Sequence, residues 1–281
     1  MIMMHKPLVV LLLMSLANPV FSETDLSTSV NSPEVADVTQ TSEATQKGRE
    51  FLAGLFDNEV NLLPEFHGHH VYWLYHDNYI ASKVLAVSHR AISQAITKSI
   101  SDHAQHGSGK MEILFGDAAE PFPFRHFDLI VVRKVGHRII RTEHVKKRPM
   151  VGWESYADLR LFAAIALAES SPEKAQKNFS AAMDMWDGVG FADAVTKKHK
   201  IYATYKLALA VIARSKLRHG SDSKGQSRQL PENLLPTLRS LQAESGGWIT
   251  DYKPNGKPVG KANVETSCLC ILALECETVK K

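Results

Sequence analysis

Three carboxylates, Asp77, Asp158 and Glu265, each stand just ahead of a strongly apolar run, and their chemistry is the most legible in the chain. A carboxyl at the edge of a buried helix can have its proton affinity raised by desolvation. Glycoside hydrolysis needs two such groups across the bond, one protonated and one ionised. Asp77 with Glu265 is the preferred pair, and Asp158 is its substitute. The plainer reading gives the same acids to free backbone N–H groups and to the helix dipole in a first helical turn. A second group, Tyr202, Tyr205 and Lys206, falls within about one helical turn and suits a polyuronate lyase. That reaction takes a Tyr, His or Lys base and a cation to neutralise the substrate carboxylate, for which Arg138 or Arg141 is placed.

Glu65, Tyr72, Trp73, Asn78 and Tyr156 belong to the same set as ligand-contacting residues, because aromatics with a few carboxylates in a concave site are the usual lining of a binding pocket. His67, His69, His70 and His76 in HGHHVYWLYH invite a metal. No Cys or Asp-rich complement stands at a familiar spacing, so a solvated loop is expected there, with no metal and no cofactor.

The elements that must position these groups are helices. Leu207 to Ala213 is apolar on every side, as are Leu269 and Ile271 to Leu274, and a helix apolar all round is buried all round. Pro172 to Met185 and Pro231 to Leu241 alternate charged and apolar residues at helical spacing, as surface helices do. Three segments, Phe51–Val87, Phe179–Ala213 and Leu238–Leu274, repeat one unit: a helix end, a turn with bulky apolar residues, a polar loop and an apolar helix. With the helix expected over Trp153–Ser170 they make about seven helices. If the units are equivalent, the N-termini of the inner helices converge on one mouth. Between Lys110 and Val145 the period shortens: Phe127–Val132 and Arg138–Thr142 flank a Gly136 turn as a β-hairpin, and Met111, Ile113 and Phe115 alternate as a third strand.

The spacing Leu238, Gln242, Gly246, Trp248 in LRSLQAESGGW resembles the QW repeat of the terpenoid-cyclase and prenyltransferase group of α/α toroids. The phrases YWLYHDNYIASKVLAV, YADLRLFAAIALA, YATYKLALAVIA and ANVETSCLCILAL are similar to a group of exported prokaryotic proteins of uncharacterised activity with an α/α toroid of the terpenoid-cyclase or the six-hairpin-glycosidase type. The resemblance implies a mainly α fold: a partial α/α toroid of helical hairpins with an inserted β-hairpin. It assigns no reaction. The acidic motifs of terpene ionisation, the thioester motif of complement-like toroids, a phosphate-cradling Gly loop and a Gly-x-Ser-x-Gly elbow are all missing from the sequence.

The 281-residue chain opens with Lys6 ahead of an apolar run from Pro7 to Ala17, read as a signal peptide over residues 1–22 and hence as export to the periplasm or beyond. Residues 23–46, rich in Ser, Thr and acids, read as a disordered tether, which leaves residues 47–281 as one domain with its β insertion at about 110–145. No later stretch suits a membrane span. Cys268, Cys270 and Cys276 crowd into one helix and read as small buried hydrophobes rather than a disulfide framework. The net charge of +3 is small, yet Arg133–Arg148 holds seven Lys or Arg and a single acid, Glu143. That field favours an anionic ligand. No reader motif accompanies it, so nucleic acid is not expected. The expectation is an exported protein acting on or binding an anionic carbohydrate or cell-envelope glycan, as hydrolase or lyase. The alternative is a non-catalytic envelope binding or scaffolding protein.

Overall fold

The computed structural model of the chain describes residues 33–117, 124–220 and 229–278. The expected signal peptide lies outside them. Among the described residues, nine α-helices and two three-stranded sheets make the chain mainly α. In order these are α1 (Pro33–Gly54), β1 (Val71–Trp73), α2 (Ile80–Leu85), α3 (Arg90–Asp102), β2 (Arg125–Val135), β3 (Arg138–Pro149), α4 (Ala157–Leu167), α5 (Pro172–Met183), α6 (Ala194–His199), β4 (Tyr202–Ala203), α7 (Thr204–Gly220), α8 (Leu234–Ser240), β5 (Ile249–Tyr252), β6 (Pro258–Ala262) and α9 (Val264–Thr278). A π-helical turn, Leu74–Tyr79, joins β1 to α2.

The apolar-all-round runs are the core. Every residue from Leu207 to Ala213 is at most 3% exposed, and Val264, Cys268 to Ile271, Ala273 and Leu274 of α9 are fully buried, with the thiols of Cys268 and Cys270 free. Helix α9 packs on α1, α2 and α7, and α7 packs in turn on α4. The amphipathic helices lie on these: α3 on α2, α5 on α4, α8 on α7. The three repeated units share a backbone signature, one isolated antiparallel bridge at each turn: Asp57 with Leu62, Trp186 with Phe191, and Gln242 with Trp248.

The Gln and Trp of the third unit are mortar. Trp248 is buried and donates its indole N–H to Leu238 O at 3.0 Å, while Gln242 donates to Ala44 O at 2.9 Å and to Gly246 O at 2.7 Å. Gly246 is required here, since its φ is 92° and a Cβ would stand 2.3 Å from Lys47 O.

Four expectations need correction. The tether does not extend to Gln46: α1 begins at Pro33, and Thr41, Thr45, Gly48 and Leu52 form its buried stripe. Small residues with little apolar surface serve there because the helix comes so close that a Cβ at Gly48 would meet the Trp248 ring at 2.8 Å. Met111–Phe115 is not a strand but a 3-10 turn over Glu112–Phe115, closed by left-handed Gly116, with Leu114 buried beside Ile113 where alternation demanded exposure. The hairpin, β2 and β3, takes its third strand from β1, parallel to β3, and runs on to Pro149 rather than ending near residue 145. The loop after Trp248 is itself a hairpin, β5 and β6, with β4 alongside.

Candidate functional site

The N-termini of α4, α7 and α9 and the π-helical turn do bring chemistry together. Asp158, in the first turn of α4, accepts the Tyr205 hydroxyl of α7 at 3.0 Å. Burial, Asp158 and then Glu265 push the Tyr205 phenol well above its ordinary range, so it stays protonated. Glu265, in the first turn of α9, is half-buried and lies 3.7 Å from His76 Nδ1. Burial opposes its ionisation, but His76 and Lys110 outweigh burial and hold its carboxyl below the usual range. His76 turns its other nitrogen to Glu143 Oε1 in an ion-pair contact, and Glu143 also accepts the Ser108 N–H at 2.8 Å. Beside this group opens a cavity of about 210 Å³ lined by Ser108, Lys110, Arg125, Phe127, Tyr156 and Asp158.

Asp77 and Asn78 are brought to the same place but face inward. Asp77 is 2% exposed, and its carboxyl accepts the Glu265 backbone N–H. Together with Glu65 O, Asn263 Oδ1 and Asn263 O, which accept from Val264, Thr266 and Ser267, it completes the capping of α9. Burial, Glu265 and Glu65 push the Asp77 carboxyl well above its ordinary value, while its Oδ2 has no hydrogen-bond partner. Asn78, fully buried, clamps the chain: its Oδ1 accepts Leu63 N at 2.7 Å, and its Nδ2 donates to Leu63 O and Trp73 O. It does not reach the mouth.

Tyr72, Tyr202, Lys206 and Arg138 are engaged elsewhere. Tyr72 donates to Asp57 Oδ2 at 2.7 Å, and Tyr202 donates to Asp187 Oδ2 at 2.5 Å. Each acceptor lies fifteen residues before its donor, so the two tyrosines are one latch repeated. Burial and the neighbouring carboxylate push both phenols up to about 12. Arg138 pairs with Asp57 at 2.5 Å and with Glu59 at 2.8 Å. Lys206 is 3% exposed and ion-paired with Asp193, which also caps α6 and accepts Ala157 N. It is not a free base.

Of the remaining candidates, Tyr156 is at the cavity, and Glu65, Trp73 and Arg141 make a separate cluster. Tyr156 precedes α4 and lines the cavity. Glu65 accepts the Trp73 indole N–H at 3.4 Å and lies 3.3 Å from His69 Nδ1. Arg141 places its guanidinium 5.6 Å from the centroid of the Trp73 ring.

Sequence reasoning passed over His76 as a mouth residue and missed Glu143, Lys110 and Glu112, whose carboxyl is pushed up by burial and by Glu143. Two signals were present. Glu143 is the single acid in a basic strand, and the strings YWLYH and YATYK align His76 with Lys206, four residues after each latch tyrosine. Among the described residues, no group of three or more His, Cys, Asp or Glu side chains has the arrangement of a metal site, and no helix is long and apolar enough to cross a membrane. Compared with known proteins, the chain matches no family model, no curated protein and no solved structure.

Proposed function

We propose that this chain is an exported α/α-toroid protein, with α2, α9, α7 and α4 as its inner row, that binds an anionic carbohydrate at the shared mouth and cleaves it as a hydrolase or lyase. The observation that carries the reading is Asp158, which lines a cavity of about 210 Å³ together with Lys110 and, behind that wall, accepts the Tyr205 hydroxyl at 3.0 Å, with Glu265 near enough to raise the Tyr205 phenol. Two neighbouring groups whose environments drive their proton affinities apart are what acid–base chemistry needs. Glu265 is the ionised member, able to act as base or nucleophile, and Tyr205 is the proton holder. Asp158 orients the Tyr205 hydroxyl, and Lys110 with Arg125 faces the anionic group of the sugar. Asp77, beneath Glu265, positions it through the backbone N–H rather than touching substrate.

The test is a panel of anionic oligosaccharides scored for new reducing ends and for the ultraviolet absorbance of an unsaturated product. Glu265→Gln and Tyr205→Phe are expected to lower turnover by about 100-fold or more while binding persists. Full activity in both variants would remove the assignment. The second reading, a non-catalytic envelope binding protein, draws on the capping role of Asp77, and a glycan held but never cleaved by the wild-type chain would favour it.

A further inference from the structure

Arg138 and Arg141 lie three residues apart on β3, yet only one of them is neutralised. Arg138 has Asp57 and Glu59. Arg141 forms no ion pair among the described residues, and its Nε is buried without a hydrogen-bond partner. A buried donor left unmade is costly, and the rest of this half-buried side chain, with no carboxylate on it, is open to an acceptor from outside.

The three strands of the hairpin sheet show where that acceptor would sit. Val131 pairs with Arg141 on the antiparallel side, and Trp73 pairs with Arg141 on the parallel side, so the three side chains form one row across one face. Trp73 lies against the guanidinium and keeps its own N–H on Glu65. An aromatic face under a guanidinium fixes the plane of the fork without consuming its donors. Arg141 is only half-buried, and Val131 is 47% exposed, so the row is open to solvent.

Phe127, Leu129 and Val131 alternate on that same face of β2, and Phe127 lines the cavity that the proposed function assigns to the sugar. Leu129 is 55% exposed although it lies between them, opposite Glu143. The distance along the strand from Phe127 to Val131 is about 13 Å, more than one sugar ring occupies. Resting on the reading of the mouth given above, we propose that Arg141 over Trp73 is a second anion subsite, and that the ligand is a linear polyanionic glycan. One charged unit lies in the cavity by Lys110, the apolar wall of β2 packs against its spine, and a further charged unit meets Arg141.

Inorganic sulfate at low ionic strength tests the subsite alone, by the NMR signal of the Arg141 Nε–H, identified by its loss in Arg141→Gln. A saturable shift is expected for Arg141 and none for the paired Arg138. A signal that stays still, or that moves no more than that of Arg138, overturns the subsite. Calorimetry with oligogalacturonates of increasing length tests the ligand. Arg141→Gln should lower affinity about tenfold for the longer oligomers and leave the monomer unchanged, whereas Lys110→Gln should weaken all lengths. Val131→Glu, a change at an exposed position, should place an internal carboxylate on Arg141 and remove the same length-dependent gain with folding intact. An equal loss at every length in Arg141→Gln overturns the separate subsite. If sulfate moves Arg141 but no oligouronate binds, the anion subsite stands and the carbohydrate reading of the mouth fails.

Discussion

The first and second repeats use the same parts to opposite ends. Each has a latch in which a tyrosine donates to an aspartate fifteen residues earlier, and each carries a cation-capable side chain four residues later, His76 in one and Lys206 in the other. In the second repeat that side chain is silenced locally, since Asp193 pairs with Lys206 in the interior. In the first it is approached from afar, by Glu143 of the inserted hairpin and Glu265 of α9. A repeat that closes on itself is scaffold. One that must borrow its partners draws ionisable groups from three elements into one place, where the partly exposed His76 and Glu265 meet the buried Glu143.

The largest effect expected from this contrast is at the closed end. Lys206→Met strands Asp193 in the interior and should cost about 3–5 kcal/mol, read as a fall in the urea midpoint. His76→Leu should cost less, because the His76 ring is itself 20% exposed and Glu143, although buried, keeps the Ser108 N–H. Equal losses would break the distinction. Next come the latches: Asp57→Ala and Asp187→Ala should each cost about 1–3 kcal/mol. Similar values support equivalence of the repeats, and a latch that can be removed freely from only one of them denies it.

Titration sharpens the comparison further. The Asp77 carboxyl is raised in the folded chain, so the native state holds its proton more tightly than the unfolded state does. Stability therefore falls as pH rises from the ordinary Asp range through the raised value, and Asp77→Asn should abolish that fall. The Glu265 carboxyl is held low instead, so its contribution is present above the ordinary Glu range and is lost as pH falls through the depressed value. Glu265→Gln should flatten that acid-side loss. Urea midpoints over a pH series would show both slopes, and like-signed slopes would contradict the opposed environments. The smallest effect should be Tyr72→Phe and Tyr202→Phe, about 0.5–1.5 kcal/mol each, with no change in ligand binding.

What was legible in the sequence followed from periodicity. The buried runs of α7 and α9 and the Gly136 hairpin read directly, because burial on every side or on alternate sides leaves a pattern in residue type. The close docking of α1 did not, since Thr41, Thr45 and Gly48 look polar or featureless until a neighbouring helix is placed against them. At the mouth, Asp158, Tyr205 and Glu265 were found because they begin apolar helices. Glu143 reaches them only through a strand register, and Asp77 becomes a cap only once the first turn of α9 is beside it. Nothing in the residue types of Tyr72 and Tyr205 tells a latch from a proton holder. Fifteen-residue spacing to an aspartate would have.

The Asp77 cap also bears on how the molecule assembles. The acceptor that finishes the first turn of α9 comes from a segment 188 positions earlier, the difference between residues 265 and 77, and α9 is also the helix on which α1 and α2 pack. Contacts so distant along the chain form late and slow the search for the native state, because loop closure must precede any reward. The mouth is thus coupled to the long-range docking of α9 on the first segments of the chain. A chain caught before that step would have its separate hairpins without the cluster of Asp77, Asp158, Tyr205 and Glu265, and, on the proposed function, recovery of ligand binding should trail recovery of helix in a refolding experiment.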